Sequence, residues 1–537
     1  MGSVGLDEPR GVAAQEAAGA RPIAAPRSLA ASLLAGDAAI ALSLAAGLCL
    51  LHFLFNGRYG YFRDELYYAA CGDHLAWGYV DHAPLVAVVA RFSRWLLGDS
   101  LFALRFFAAL AGAAKVLLTA WMVREFGGRR FALALAATAV FLAPIYLTFD
   151  NFLSMNAFEP VFWMLCAGLA MRVVNRGSTR LWLLFGLVAG LGLLNKHSML
   201  FFGFGIFIGL LLTPERRLMR EKWIWLGGLG AFAIFLPNLV WEMRHQWPTI
   251  EILRNVARVK NVPVAPLEFI WQQTLLVHPV ATPICLAGLY FLLWAKEGKP
   301  YRFLGWTSLL VLAQLLILKG KIYYLAPIYP LLFAAGAAWI EARIRERNWN
   351  WMKPAILAPL VVGGIIAAPL ALPLLSVAAM EKYSKFWNVE DVKVEKGNPG
   401  RLPQLWANML GWENQVAVIA RVYHNLPAEE RNNCALLAEN YGEAGAIDYF
   451  GPAYGLPKAI SGNNNYYLWG PRNYSGEVVI SVGIPREKLQ ELFKEVKQAA
   501  IITHEYAAPD ESNLPVYICR KPKLPLRQAW PKLKYYG

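Results

Sequence analysis

Residues 101–151 read LFALRFFAALAGAAKVLLTAWMVREFGGRRFALALAATAVFLAPIYLTFDN. Two apolar runs, 102–123 and 131–149, flank the short linker REFGGRR, and the second run stops at Asp150-Asn151. Each run is close to the length an α-helix needs to cross a hydrocarbon core of about 30 Å. The linker carries Arg124, Arg129 and Arg130. An apolar run, a basic turn, a second apolar run and an acidic turn describe a chain that crosses a membrane and returns, with its cations on the cytoplasmic side. Lys115 lies inside the first run. It is structural, or paired with an acid, or nearer a helix end than the run suggests.

The same alternation extends on both sides. Of 537 residues, 57% are hydrophobic and 17% charged, where a soluble chain carries about a quarter charged. Apolar runs near 34–55, 102–123, 131–149, 157–173, 181–195, 198–212, 223–241, 269–294, 303–318, 322–340 and 354–375 predict about eleven transmembrane helices. The basic loops REFGGRR, RVVNRGSTR, PERRLMREKW, KEGKPYR and EARIRERNWNWMK fall on alternate turns. They set the N-terminus inside, in a bacterial inner membrane, and everything after 376 outside. Topology thus accounts for the net charge of +15 without nucleic acid. Residues 1–30 read as a disordered cytoplasmic tail, 31–375 as the transmembrane domain and 376–537 as an extracytoplasmic α/β domain. In that last part, CALLAENYGEAGAIDYF reads as strand, turn, helix, and EVVISVGIPREKLQELFKEVKQAAIITHEY as strand, helix, strand. PVYICRKP supplies a last strand, and GNNNYYLWGPRNY is a loop that covers the sheet or contacts sugar. Cys434 and Cys519 share this region, so a disulfide between them is open.

Polar groups gather at the outer ends of the spans. The stretch YFRDELYYAACGDHLAWGYVDHAPL (61–85) places Arg63, Asp64, Glu65 and His82 among aromatics, as a segment lying along the interface would. Asp150-Asn151 ends the third span and Glu159 begins the fourth. Lys196-His197 breaks the run between the fifth and sixth. KGKIYYLAP brings Lys319, Lys321, Tyr323 and Tyr324 to another outer junction. The loop WEMRHQWPTIEILRNVARVKNVPVAPLEF adds Arg244, His245, Arg254, Arg258 and Lys260, with helical spacing that suits a phosphate-binding lid or a surface helix on anionic lipid. Charged groups at span ends mark functional sites or snorkel. Carboxylates and cations converging on one face suit proton transfer beside an anion.

RDE, YVDHAPL, LTFDNFLSMNAFEPVFWML and KGKIYYLAPIYPLL, in that order over about residues 30–345, resemble the motifs of the polytopic C-type-fold glycosyltransferases. The chain looks most like the dolichyl-phosphate-mannose protein mannosyltransferases and the lipid A aminoarabinose transferase. The resemblance implies inverting transfer of a sugar from a polyprenyl-phosphate donor to a glycan, lipid or protein acceptor on the outer face. It implies Asp64 as the general base, Glu65 as its support and Asp150 as a second acidic position. His82, Lys196, Arg254, Arg258, Lys319, Lys321, Tyr323 and Tyr324 would serve the donor phosphate, with Arg63, Asn151 and Glu159 behind them. DHAP replaces the family's double proline and puts histidine where its lysine stands. A divalent metal is not favoured, because few acids are available to hold one. A secondary transporter would show two related halves, and none is visible. A non-catalytic scaffold with an outer sensor domain would leave the one-sided clustering of acids and bases without a cause.

Overall fold

The computed structural model describes residues 36–259, 264–389 and 400–537. The expected tail 1–30 and Lys260 lie outside the described residues. Among the described residues, seven helices are long and apolar enough to cross a membrane, or nine if each of two bent pairs is one span. Two shorter apolar helices accompany them.

The bundle begins with α1 (Gly36–Phe55), followed by α2 (Arg63–Asp73) and α3 (Leu85–Leu97), which pack against the C-terminal part. Next come α4 (Leu101–Glu125), α5 (Arg130–Leu142), α6 (Met155–Arg176), α7 (Leu181–Asn195), α8 (Met199–Leu211) and α9 (Lys222–Arg244). Then follow α10 (Pro248–Val259), α11 (Pro266–Val277), α12 (Thr282–Leu293), α13 (Arg302–Ile317), α14 (Tyr329–Glu346) and α15 (Met352–Ala371). Two expected spans are broken. The run 131–149 stops at Leu142 and restarts as a short helix at Pro144. The run 269–294 bends by 103° at His278, just before Pro279. Proline lacks the N–H that would continue the ladder, and hydropathy does not register that loss.

The basic loops meet on one face. Arg172 Nε donates to Glu125 Oε1 at 2.8 Å, the Tyr301 hydroxyl to Asn175 Oδ1 at 2.6 Å, and Arg343 Nη2 to Glu297 Oε1 at 2.6 Å. Interhelical gaps are closed by small residues. A Cβ on Gly112 of α4 would lie 2.6 Å from Asp150 Oδ2.

The C-terminal part is a five-stranded mixed sheet with order β2-β1-β3-β5-β4. The strands are β1 (Cys434–Ala438), β2 (Ala459–Ser461), β3 (Val478–Val482), β4 (Phe493–Ile502) and β5 (Leu514–Pro522). Among the helices that accompany them are α16 (Trp412–His424), α17 (Tyr441–Phe450), α18 (Asn464–Trp469) and α19 (Arg486–Leu492). The strand, turn and helix readings of this region are borne out. Leu436, Ile480 and Val482 face a core shared with α2 and α3, while Ala435, Leu437 and Val479 face the other side with Trp530. That is the two-residue period of a strand buried on both faces. Cys434 belongs to the first face and Cys519 to the second, and both are free. The pairing left open by the sequence is therefore absent, because the sheet stands between the two sulfurs.

Candidate active site

α2 opens just beyond α1 with Phe62 in extended conformation, and the Phe62 N–H donates to Glu65 Oε2 at 2.8 Å. Glu65 thus caps its own helix. Its remaining lone pairs are also filled. Arg105 Nε donates to Oε1 at 2.9 Å and Nη2 to Oε2 at 2.7 Å, and the Leu153 N–H reaches Oε1 at 2.8 Å. Arg105 also donates to the carbonyls of Asn56 (2.6 Å) and Gly60 (2.7 Å). Both side chains are fully buried. This planar fork ties the end of α1, the start of α2, α4 and the loop after Asp150 into one joint.

Asp64, the adjacent residue, faces the other way. Its side chain is 32% exposed, and Arg63 Nε stands 3.8 Å from its Oδ1. The Tyr441 hydroxyl of α17 donates to the same oxygen at 2.8 Å, and the Arg63 guanidinium lies over the Tyr441 ring. The carboxylate is therefore partly exposed, with a cation and a hydrogen-bond donor beside it.

The C-terminal domain reaches α2 through a glycine. A Cβ on Gly445 of α17 would stand 2.9 Å from the Leu66 carbonyl carbon and 3.1 Å from the Tyr67 nitrogen. Residues 65–72 of this segment are thus buried beneath the sheet rather than lying in the interface as expected, while Leu75 and Trp77 stay exposed. Leu66, Tyr67 and Tyr68 are at most 4% exposed. α3 adds Phe92, Trp95 and Leu96 to the exposed apolar side chains. The GNNNYY segment covers the sheet, with Tyr466 packed on one face and Tyr467 on the other, and it also bridges to the bundle. Asn464 Nδ2 donates to Asp81 Oδ2 at 3.2 Å, and Asn465 Oδ1 accepts the Val80 N–H at 2.7 Å. Residue 81 is held further by the Tyr67 hydroxyl, 2.9 Å from Oδ1.

An unbroken line of aromatic contacts joins the acidic segment to the basic junctions. Phe62 packs on Phe152, Phe152 on Phe149, Phe149 on Tyr323 and Tyr323 on Tyr324, with centroids 4.7–5.9 Å apart. Lys196 Nζ then lies 4.3 Å from the Tyr324 centroid and donates to Asn156 Oδ1 at 2.8 Å and Glu159 Oε2 at 2.7 Å. Ser198 donates to the other Glu159 oxygen. His197 Nε2 hydrogen-bonds Asn238 Oδ1, and Asn238 Nδ2 donates to the Trp77 carbonyl at 2.7 Å. Lys321 Nζ lies 6.0 Å from the Tyr323 centroid, and Lys319 is exposed. Arg254 and Arg258 are exposed on α10, whose Thr249 hydroxyl donates to the Val80 carbonyl.

Three residues stand differently from their sequence readings. Glu65 has every lone pair engaged and no exposure, so it positions α2 rather than meeting substrate. Asp150 is fully buried against Lys115, which also donates to the Ala157 carbonyl at 3.1 Å. That ion pair selects the paired reading of Lys115 and removes Asp150 from any surface. Asn151 is buried beside it. His82 is 4% exposed and stacks on Tyr79 at 4.5 Å. Burial holds its pKa below the usual imidazole value, against the pull of Asp81. Its Nδ1 faces the Ala83 carbonyl at 2.9 Å, so Nδ1 carries the proton and Nε2 a lone pair. A neutral ring whose free nitrogen accepts is a poor substitute for a phosphate-binding lysine. Among the described residues, no group of three His, Cys, Asp or Glu side chains is placed to hold a metal.

Tyr441 and Arg105 were missed in the sequence. Tyr441 lies 377 residues from Asp64 and Arg105 lies 40 from Glu65, and neither sits in a motif.

The architecture is the C-type glycosyltransferase fold. It matches ArnT from Cupriavidus metallidurans in the apo state with a TM-score of 0.57 and 15% identity, over 90% of this chain and 98% of that one. The same protein bound to undecaprenyl phosphate gives 0.56 and 14%, over 89% and 97%. Residues 81–241 match the family described as dolichyl-phosphate-mannose-protein mannosyltransferase. The chain is also similar to the lipid A galacturonosyltransferase RgtD of Rhizobium johnstonii, 26% identical over 253 residues, or 46% of this chain and 53% of that protein. It is similar to the undecaprenyl phosphate-alpha-4-amino-4-deoxy-L-arabinose arabinosyl transferase of Pectobacterium carotovorum, 26% identical over 336 residues, or 56% and 59%. The chain spans little more than half the length of these two relatives. The resemblance carried by the motifs is borne out.

Proposed function

We propose that the chain transfers a sugar from a polyprenyl-phosphate donor to an acceptor hydroxyl on lipid A or a related envelope lipid, on the outer face of the membrane, by inverting single displacement. The observation that carries this is Asp64: a half-open carboxylate at the junction of bundle and sheet, two residues from Phe62, where the packed aromatics that lead to Tyr323, Tyr324 and Lys196 begin. Asp64 accepts the acceptor's proton as the acceptor oxygen bonds to the anomeric carbon. The bond from that carbon to the phosphate oxygen breaks, and its electron pair leaves with the lipid phosphate. The phosphate gains a negative charge in that step, and the cations Lys319 and Lys321, with Arg254 and Arg258 from α10, stabilise it. Lys196, already held by Asn156 and Glu159, orients Tyr324 and adds its field. Asp150 keeps α4 against the loop that carries Phe152. The relatives' names supply the sugars to try first, an aminoarabinose and a galacturonic acid, and lipid A as acceptor.

The test is transfer by the purified full chain from polyprenyl-phosphate-linked 4-amino-4-deoxy-L-arabinose or galacturonic acid to lipid A, followed by mass spectrometry. Asp64→Asn is expected to reduce the initial rate by about 10²–10⁴-fold, the range for loss of a general base. Undiminished transfer in that variant would remove Asp64 from the mechanism.

A further inference from the structure

The opposite end of the bundle carries a second concentration of charge. A cavity of about 720 Å³ opens there between the start of α1, the turn from α4 to α5 and the turn from α14 to α15. α4 measures its distance from the candidate active site. Arg105 near one end grips Glu65, and Arg124 near the other lines the cavity. Those 19 residues at 1.5 Å each span roughly 28 Å, about the thickness of the hydrocarbon core.

Five cations line this cavity: Arg124, Arg129, Arg130, Arg345 and Lys353. Two carboxylates join them, Asp37 and Glu341, and both are engaged. Asp37 is shared between Arg124 and Arg130, whose Nε stands 2.8 Å from Oδ1. Glu341 accepts the backbone N–H groups of Arg129 and Phe131 with its two oxygens, which closes the first turn of α5. Among the described residues, the side chains of Arg129, Arg345 and Lys353 have no carboxylate and no hydrogen-bond acceptor. A volume of this size lined by unneutralised cations is complementary to an anion. Its surroundings select which anion. Lys353 stands at the first turn of α15, and the neighbouring Trp351 is 68% exposed, as indoles are at the level of lipid headgroups.

We propose that this cavity is a binding site for the phosphate headgroup of an anionic membrane lipid, separate from the site at Asp64. Guanidinium groups from two turns of the chain would bracket the phosphate oxygens, with Lys353 closing the side toward the bilayer.

Native mass spectrometry of the full chain in detergent tests it, with tetraoleoyl cardiolipin and dioleoyl phosphatidylglycerol as probes, dioleoyl phosphatidylcholine as neutral control and inorganic pyrophosphate as the soluble phosphate. The chain is expected to retain the two anionic lipids over phosphatidylcholine. The pair Arg345→Gln/Lys353→Gln is expected to lower that retention about tenfold or more, from a contribution of about a factor of five for each cation. The pair Arg216→Gln/Arg217→Gln, which removes the same charge from another loop of the basic face, is expected to leave retention unchanged. Equal losses in both pairs would reduce the effect to general surface charge and overturn the site, as would retention unaffected in either. Pyrophosphate binding without lipid binding would overturn the lipid assignment. If the double variant is unstable in detergent, Lys353→Glu alone makes the same comparison.

Discussion

Asp64 and Glu65 are neighbours in the chain, and the fold gives them opposite surroundings. Glu65 belongs to a sealed tier with Arg105, below which Lys115 and Asp150 form a second buried pair. Asp64 belongs to an open tier with Tyr441 and Arg63, roofed by the sheet domain. A carboxylate whose lone pairs are all occupied holds elements together. One that is partly exposed is open to an incoming group. On the proposed mechanism the acidic motif is half chemistry and half joinery, and burial decides which residue does which.

The comparison breaks most visibly at Glu65. Glu65→Gln leaves the Arg105 charge buried and unpaired, which costs about 3–5 kcal/mol. The expected result is a large fall in detergent melting temperature, with transfer lost along with the fold. Asp64→Asn, by contrast, is expected to melt within a few degrees of the unmodified chain while losing transfer. If both variants melted alike, the two tiers would not be distinct.

Gly445 tests the seam between the tiers. A methyl there meets the Leu66 and Tyr67 backbone, which has no rotamer with which to yield. Overpacking of this kind costs about 1–3 kcal/mol. Gly445→Ala is expected to lower the melting temperature modestly and transfer substantially, because the displaced helix carries Asp64.

Tyr441→Phe asks a finer question. It removes one hydrogen bond to Asp64 and little volume, a loss of about 1 kcal/mol, or roughly fivefold in kcat. The variant is expected to melt with the unmodified chain, whereas a tyrosine that only held α17 in place would lower the melting temperature along with the rate.

These tiers were unevenly legible in the sequence. The span positions, the basic face and the strand-helix pattern of the tail follow from composition and period, and these are local properties. The polar junctions were recognisable because charge at a span end is costly wherever it occurs. The partners were not, since Arg105 reads as one cation in an apolar run and Tyr441 as one aromatic in a distant helix. The bends at Pro144 and Pro279 were written in the sequence but hidden inside runs whose hydropathy is unbroken. Burial of α2 was misjudged because an aromatic segment suits a lipid interface and a domain interface equally well.

The smallest expected effect lies where the open tier meets the sheet domain. Glu511 and Glu443 are buried near each other, with Glu439 and Asp510 adding negative charge. Burial lifts Glu511 to about 7, against Arg63, which lowers it, and burial also raises Glu443. A carboxyl raised in the fold binds a proton that the unfolded chain has already released. Its contribution to stability is therefore complete below about 4.5 and lost as pH rises through about 7. The melting temperature of the full chain should fall by a few degrees between pH 5 and 8, and Glu511→Gln should flatten that fall. Arg63→Met should steepen it at its upper end, because the cation that favours ionised Glu511 is gone. The same substitution removes the cation 3.8 Å from Asp64 and is expected to lower the rate of transfer; if the stability profile changed and transfer did not, Arg63 would act on the buried acid alone.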